Sequence, residues 1–326
     1  MKFLFLVWRL LRYRVAIMLL LFLLLSVTLH ANLADYTAAL ILASLSLALS
    51  YVSATSVNDI ADRKIDAINH PDSPGRPLIN GQGSVNELWA VYIVVSATAL
   101  LLAALINVVA LFIILASLLI NIAYSLWPIR LSYRTYLAPL ALGVAYVGIP
   151  FALGLAVIGQ TMEANDWVWI SGLYLMFIGR IILKDFRDRK GDARYNKPTF
   201  LLKYGKNSTC LVSLLAILSG GVMIIVALQG LVWLQLIVAV YLALIISVLR
   251  RLQLAPQGAK EQVYIGVGAK MGNGLLITLL GVFALASSDA PVGVQVSLAI
   301  VLLLIFVANY AVIVRSPGRT TLAYKG

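Results

Sequence analysis

The chain has 326 residues, 62% of them hydrophobic and 12% charged, and carries a formal net charge of +12. Soluble domains hold about twice that charged fraction, so composition argues against a water-soluble enzyme or binding module. Apolar runs long enough to cross ~30 Å of hydrocarbon recur from end to end, which ties the basic excess to a membrane and not to nucleic acid.

In chain order, hydropathy predicts ten spans: 14–31, 37–57, 87–106, 108–127, 137–159, 167–183, 208–228, 231–249, 270–287 and 292–314. The first follows Lys2, Arg9, Arg12 and Arg14 but is longer than a signal-peptide core, lacks a small-x-small cleavage site and leads into further spans. It therefore reads as a retained helix. With the N-terminus inside, the inner segments and inner span ends hold all 25 Lys and Arg. The outer turns contain Asp35, Glu163, Asp166 and Asp289. This asymmetry predicts an integral multi-pass protein with both termini cytoplasmic, including a basic tail of Arg315, Arg319 and Lys325. The outer turns are short, whereas the inner stretches 58–86, 184–207 and 250–269 are long and polar enough to carry chemistry.

Two acidic stretches stand where spans end on that inner face. One is Asn58-Asp59-Ile60-Ala61-Asp62-Arg63-Lys64-Ile65-Asp66, and the other is Asp185-Phe186-Arg187-Asp188-Arg189-Lys190-Gly191-Asp192. They hold six of the chain's 13 acids. Each follows an even-numbered span, four helices apart, which suggests duplication of a four-helix unit with the two motifs facing each other. On a continuing helix, Asn58, Asp59, Asp62 and Asp66 share an arc of about 100°, and Asp185, Asp188 and Asp192 one of about 60°. Clustered carboxylates repel unless a cation lies between them, and an oxygen-only donor set favours a hard ion, Mg²⁺ before Ca²⁺ or Zn²⁺. Mg²⁺ takes one or two protein carboxylates and completes its shell with phosphate and water, so two facing clusters suit a diphosphate.

Basic residues beside the motifs complete that chemistry. Arg63, Lys64, Arg76, Lys184, Arg187, Arg189, Lys190 and Lys197 are available to phosphate oxygens. The competing reading is a solvated inner loop whose mixed charge fixes topology; one Asp-x-x-Asp would not displace it, whereas two at equivalent positions do. The segment Asn69–Pro77, with three prolines and a glycine, reads as an ordered loop that covers the site, as does 193–205.

Other features weigh less. Tyr124, Trp127, Tyr133 and Tyr136 suit an interfacial aromatic belt as well as a substrate pocket. Asn121 either faces a cavity or bonds a neighbouring helix, and Asn273 and Asn309 read as interhelical contacts. Gly143, Gly148, Gly154 and Gly159 suit close helix packing in the fifth span. Arg180 either snorkels or points at the second acidic set. Cys210 is the lone cysteine, read as a small buried hydrophobe, and His30 and His70 are too far apart in sequence to suggest a histidine-based metal site.

Asn58-Asp59-x-x-Asp62-x-x-x-Asp66, then Arg76-Pro77, then Asp185-x-x-Asp188-x-x-x-Asp192 resembles the UbiA superfamily of intramembrane prenyltransferases. Tyr124-Ser125-x-x-Pro128-x-Arg130-Leu131 is similar to the tyrosine-containing loop between that family's motifs. The resemblance runs from about residue 14 to 249 and implies an all-α bundle of nine to ten transmembrane helices around a central cavity, as one domain over 1–326 with added C-terminal helices at 270–314. The family usually has nine spans, one fewer than the hydropathy count. The resemblance further implies an isoprenyl diphosphate donor, a hydrophobic or aromatic acceptor and Mg²⁺ as cofactor. Asn58, Asp62, Asp66, Asp188 and Asp192 would hold the metal, and Asp62, Asp66, Asp188 and Asp192 would be catalytic. Asp59, Arg63, Arg76, Lys184, Asp185 and Lys197 would bind diphosphate, and Tyr124, Ser125 and Arg130 would line the substrate or carbocation. Two alternatives stay open: phosphoribosyl transfer to a polyprenyl phosphate on the same fold, and a transporter. The latter fits poorly, because transport would place acids at span centres.

Overall fold

In hydrocarbon, backbone N–H and C=O groups have no water to bond, so long apolar runs close their hydrogen bonds internally as helices. The computed structural model describes residues 1–71 and 73–315, which are helical without a strand. Arg319 and Lys325, part of the expected basic tail, lie outside the described residues.

The expected basic N-terminal arm is instead a helix, α1 (Lys2–Leu11), which meets α2 (Tyr13–Thr28) at a 64° bend. At ten residues it is too short to be a span alone, and Leu6 and Leu10 are buried against the bundle. The bend falls at Arg12, whose φ of 41° lies in the left-handed region. There follow α3 (Thr37–Ala61), α4 (Arg63–Asn69), α5 (Val85–Ile106), α6 (Val108–Ser125), α7 (Leu137–Gly143), α8 (Ile149–Val157), α9 (Ala164–Ile181), α10 (Asp185–Arg194), α11 (Phe200–Ala227), α12 (Val232–Leu254), α13 (Ala259–Ala286) and α14 (Val292–Arg315). Among the described residues, nine helices or helix runs are long and apolar enough to cross a membrane, and the bent pair α1–α2 would make a tenth.

Caps explain several boundaries. Ser84 and Glu87 form a reciprocal capping box that starts α5. Asn107 separates α5 from α6, its Oδ1 accepting from the Ala110 amide at 2.8 Å while its Nδ2 donates to the Ala156 carbonyl, also at 2.8 Å. The fifth span is not a plain helix: a π-helical turn, Val144–Gly148, joins α7 to α8. Pro150, just beyond, has no N–H to return to the preceding turn, which accounts for the local rewinding. The stretch 250–269, expected as an inner loop, is helical except around 255–258, because α12 runs to Leu254 and α13 starts at Ala259.

α2, α3, α6, the α7–α8 run, α9, α12 and α13 surround a central cavity, while α5 packs on α3 and α14 on α13. Small residues let the helices close. A Cβ on Gly220 of α11 would lie 2.4 Å from the Gly172 carbonyl oxygen of α9, so these backbones touch. In the fifth span, Gly154 abuts Ser26 and the Leu23 carbonyl, and Gly143 abuts the Tyr174 ring.

Candidate active site

The cavity has a volume of about 860 Å³ and runs from the two aspartate motifs into an apolar interior. Asn58, Asp62, Asp66, Asp188 and Asp192 line it, together with Arg76, Lys184, Lys197, Tyr124 and Ser125. Its aromatic and aliphatic lining includes Tyr146, Phe177, Ile245, Val248 and Leu249. A charged end joined to an apolar end suits an amphiphile.

The first motif spans a helix break. α3 ends at Ala61, Asp62 leaves helical geometry (φ −101°, ψ 13°), and α4 resumes at Arg63. Arg130, from the loop after α6, donates to the Ala61 carbonyl and to Asp62 Oδ1, both at 3.3 Å, so it caps α3 and holds the carboxylate. Lys197 Nζ reaches Asp62 Oδ2 at 2.9 Å. Arg76 donates to Asp66 and to Asp59, the latter at 3.1 Å. Arg12, at the α1–α2 bend, donates to the same Asp59 oxygen at 2.5 Å. Every carboxylate of this motif is buried and has a basic partner.

The second motif continues α9 through a tight turn, 182–184, into α10. Asp188 accepts from His70 Nε2 at 3.0 Å, and Asp192 lies 4.0 Å from Lys197. Lys197 therefore stands between the motifs. They meet directly where α10 packs on α4: the Gly191 amide donates to Asn69 Oδ1 at 2.6 Å. A Cβ on Gly191 would sit 2.6 Å from the Ile65 carbonyl, so glycine permits this approach.

The electrostatics keep the basic groups charged. Burial is the largest influence on Lys197 and works against its ammonium, but its neighbours together, Asp62 first, carry the pKa above the ordinary lysine value. Arg76 moves the other way, lowered by burial first and by adjacent Arg12 second, with Asp59 opposing both. An arginine starts so high that it remains a cation.

Of the residues to which the resemblance assigned a metal, diphosphate or substrate role, four stand apart from the cavity lining. Arg63 is exposed. Asp59 lies behind the first motif, bound by Arg12 and Arg76. Asp185 is half-buried beside the cavity, and Arg130 touches Asp62 from outside it. Arg180 does line the cavity, with Nη1 bonded to Asn273 Oδ1 at 2.8 Å. Asn121 lines it too, and donates to the Ser50 carbonyl at 3.3 Å. The sequence tied neither Arg12 nor His70 to an aspartate, since their partners are 47 and 118 residues away in the chain. The one signal for His70 was its place in the proline-rich loop after the first motif.

The donor set suits a hard metal ion shared with phosphate. Among the described residues, no three His, Cys, Asp or Glu side chains converge closely enough to hold an ion alone. Oxygen donors spread in ones and twos around a basic cavity match the habit of Mg²⁺, which leaves much of its shell to phosphate and water. The buried Asp59 Oδ2 lacks a hydrogen-bond partner in the structure, a further acceptor beside the first motif.

Curated relatives share parts of this chain. Rice (Oryza sativa subsp. japonica) chlorophyll synthase is 30% identical over 162 residues, 46% of this chain and 41% of the relative. The 4-hydroxybenzoate octaprenyltransferase of Enterobacter sp. (strain 638) is 25% identical over 178 residues, 54% of this chain and 60% of the relative. Digeranylgeranylglyceryl phosphate synthase of Methanopyrus kandleri is 29% identical over 166 residues, 51% of this chain and 58% of the relative. The chain thus spans less than two thirds of the length of these relatives. Among solved structures, an apo UbiA homologue from Aeropyrum pernix K1 superposes with TM-score 0.64 at 19% identity, covering 85% of this chain and 98% of that one. A UbiA homologue from Archaeoglobus fulgidus bound to DMAPP and Mg²⁺ gives 0.60 at 17% identity, covering 89% and 100%. At these identities the likeness concerns the fold. The sequence model of the UbiA prenyltransferase family matches residues 15–274, which include both aspartate motifs and most of the cavity-lining residues, and the chain belongs to that family.

Proposed function

We propose that this protein transfers an isoprenyl group from a polyprenyl diphosphate to an aromatic or lipid acceptor within the membrane, with Mg²⁺ as cofactor. The observation that carries the reading is the meeting of two aspartate helices, α4 and α10, at the basic end of a cavity whose far end is apolar. The named activities of the relatives support it, as do the DMAPP and Mg²⁺ bound by the Archaeoglobus homologue. The whole chain would act as one transmembrane domain, with a core of about 14–249 and added helices at 270–314. Its basic face, active-site loops and both termini would be cytoplasmic.

Asn58, Asp62, Asp66, Asp188 and Asp192 would hold the metal, which supplies charge neutralisation for the departing diphosphate. Arg76, Lys184 and Lys197 would bind phosphate oxygens, with Arg76 also holding Asp66 in place. Such fixed charges act strongly in a cavity that excludes water. As the allylic C–O bond breaks, Tyr124 presents its ring toward the positive carbon, and Phe177 with the aliphatic wall keeps water from quenching it. The acceptor's electron-rich carbon or oxygen forms the new bond, and Asp62 or Asp66 takes the proton it releases.

Purified protein in nanodiscs would be offered isoprenyl diphosphates of increasing length against hydroxybenzoate, naphthoate, homogentisate, tetrapyrrole and glycerol-phosphate acceptors. Mass spectrometry would follow the products with and without Mg²⁺. A prenylated product that disappears with EDTA and returns with Mg²⁺ is expected. A phosphoribosyl adduct on polyprenyl phosphate, with no prenyl transfer for any pair, would replace this reading.

A further inference from the structure

α10 carries Asp188 and Asp192 but has little means to hold its own place. It is ten residues long, seven of them Asp, Arg or Lys, and a helix this short is marginal alone. On the cavity side it is fixed by α4, through Gly191 and Asn69. On the opposite side lies a second charged cluster, distinct from the cavity. Glu261, in the first turn of α13, is 2% exposed. Its Oε1 accepts from Lys206 of α11 at 2.8 Å, and its Oε2 lies 3.5 Å from Arg189 of α10. Lys206 also donates to the Ala255 carbonyl at 2.5 Å, tying in the turn before α13. Next along, Gln262 Nε2 donates to the Phe186 carbonyl at 3.4 Å. The start of α13 thus grips α10 at residues 186 and 189, on either side of Asp188.

Burying a carboxylate costs several kcal/mol unless its charge and lone pairs are met, so this one is anchored by the cations that reach it. The two contacts to α10 resist rotation about its axis, and rotation is the motion that would swing Asp188 and Asp192 out of the cavity. We propose that Glu261 is a positioning residue, which with Arg189 and Gln262 sets the orientation of α10 and so the presentation of Asp188 and Asp192 to a metal–diphosphate. This rests on the reading of the cavity given above.

Three measurements on the full-length protein in nanodiscs test it. The first is titration with inorganic pyrophosphate and Mg²⁺. Glu261→Gln and Arg189→Gln are each expected to weaken binding about tenfold, as loss of outer partners of metal ligands typically does, and the double variant no further than either single. Glu261→Asp should recover most of the loss. The second is the split of steady-state constants, where the donor KM should rise more than kcat falls. The third needs no ligand: spin labels at the exposed positions 64 on α4 and 190 on α10, in a Cys210→Ser background, should show a broadened distance distribution in Glu261→Gln. Unchanged pyrophosphate affinity, donor KM and label distances in Glu261→Gln would overturn the proposal. If the wild type binds no Mg²⁺–pyrophosphate while the labels still broaden, the orienting role stands and the reading of the cavity falls. Should Glu261→Gln fail to fold, Arg189→Gln, whose side chain is 21% exposed, carries the same comparison.

Discussion

The two aspartate motifs share chemistry but are held differently. In the first, Asp59, Asp62 and Asp66 are buried, and Arg12, Arg76, Arg130 and Lys197 converge on them from four separate segments. In the second, Asp188 has His70, Asp192 shares Lys197 at 4.0 Å, and Asp185 is half-buried. The first motif is a preorganised wall in which every carboxylate already has a basic partner. The second sits on a short helix clamped from both sides, so its position depends on packing more than on ion pairs to its own carboxylates.

That contrast can be broken most forcefully at the lining carboxylates. Asp62→Ala and Asp188→Ala should each lower turnover by about 10²–10³ in the transfer assay, the loss typical of removing one strong electrostatic contact to a transition state. Asp62→Ala should cost more, since it also strands Lys197 and Arg130. Next comes stability. Asp59→Ala breaks a buried pair with two arginines and should cost about 3–5 kcal/mol, whereas Asp185→Ala should cost under about 1 kcal/mol. Thermal unfolding in detergent separates the two, and equal losses would erase the distinction between the motifs. Gly191→Ala probes the seam between them: its methyl meets the Ile65 carbonyl, so α10 must shift. The expected cost is about 1–3 kcal/mol, with a weakened Mg²⁺ dependence of turnover. The smallest effect belongs to Arg63→Ala. Exposed and away from the cavity, it should leave turnover within about twofold.

The membrane class, most spans and the aspartate motifs were legible in the sequence because each contrasts with its surroundings. A run of carboxylates at the end of an apolar helix has few explanations, and spans differ from loops by hydropathy alone. What escaped depends on tertiary contact. Lys2–Leu11 is too short to score as a span, yet folds as a helix because Leu6 and Leu10 find a core. The polar run Gln257-Gly258-Ala259-Lys260-Glu261-Gln262 looked like a loop, but Glu261 is buried by cations that the sequence places 55 and 72 positions earlier. Arg12 and His70 were invisible for the same reason. Nothing local marks which arginine or histidine a distant aspartate will choose.

Lys197 has a consequence for the order of events. Its single ammonium touches Asp62 and faces Asp192, one carboxylate from each motif, on a flexible four-carbon stem. It is a resident placeholder for positive charge in the gap between the motifs. A free divalent ion arriving alone would have to displace it and gain little, whereas an ion already carried by a diphosphate brings an anion for the displaced ammonium to follow. On the function proposed above, this arrangement would favour metal and donor entering as one unit, with the lysine passing from carboxylate to phosphate.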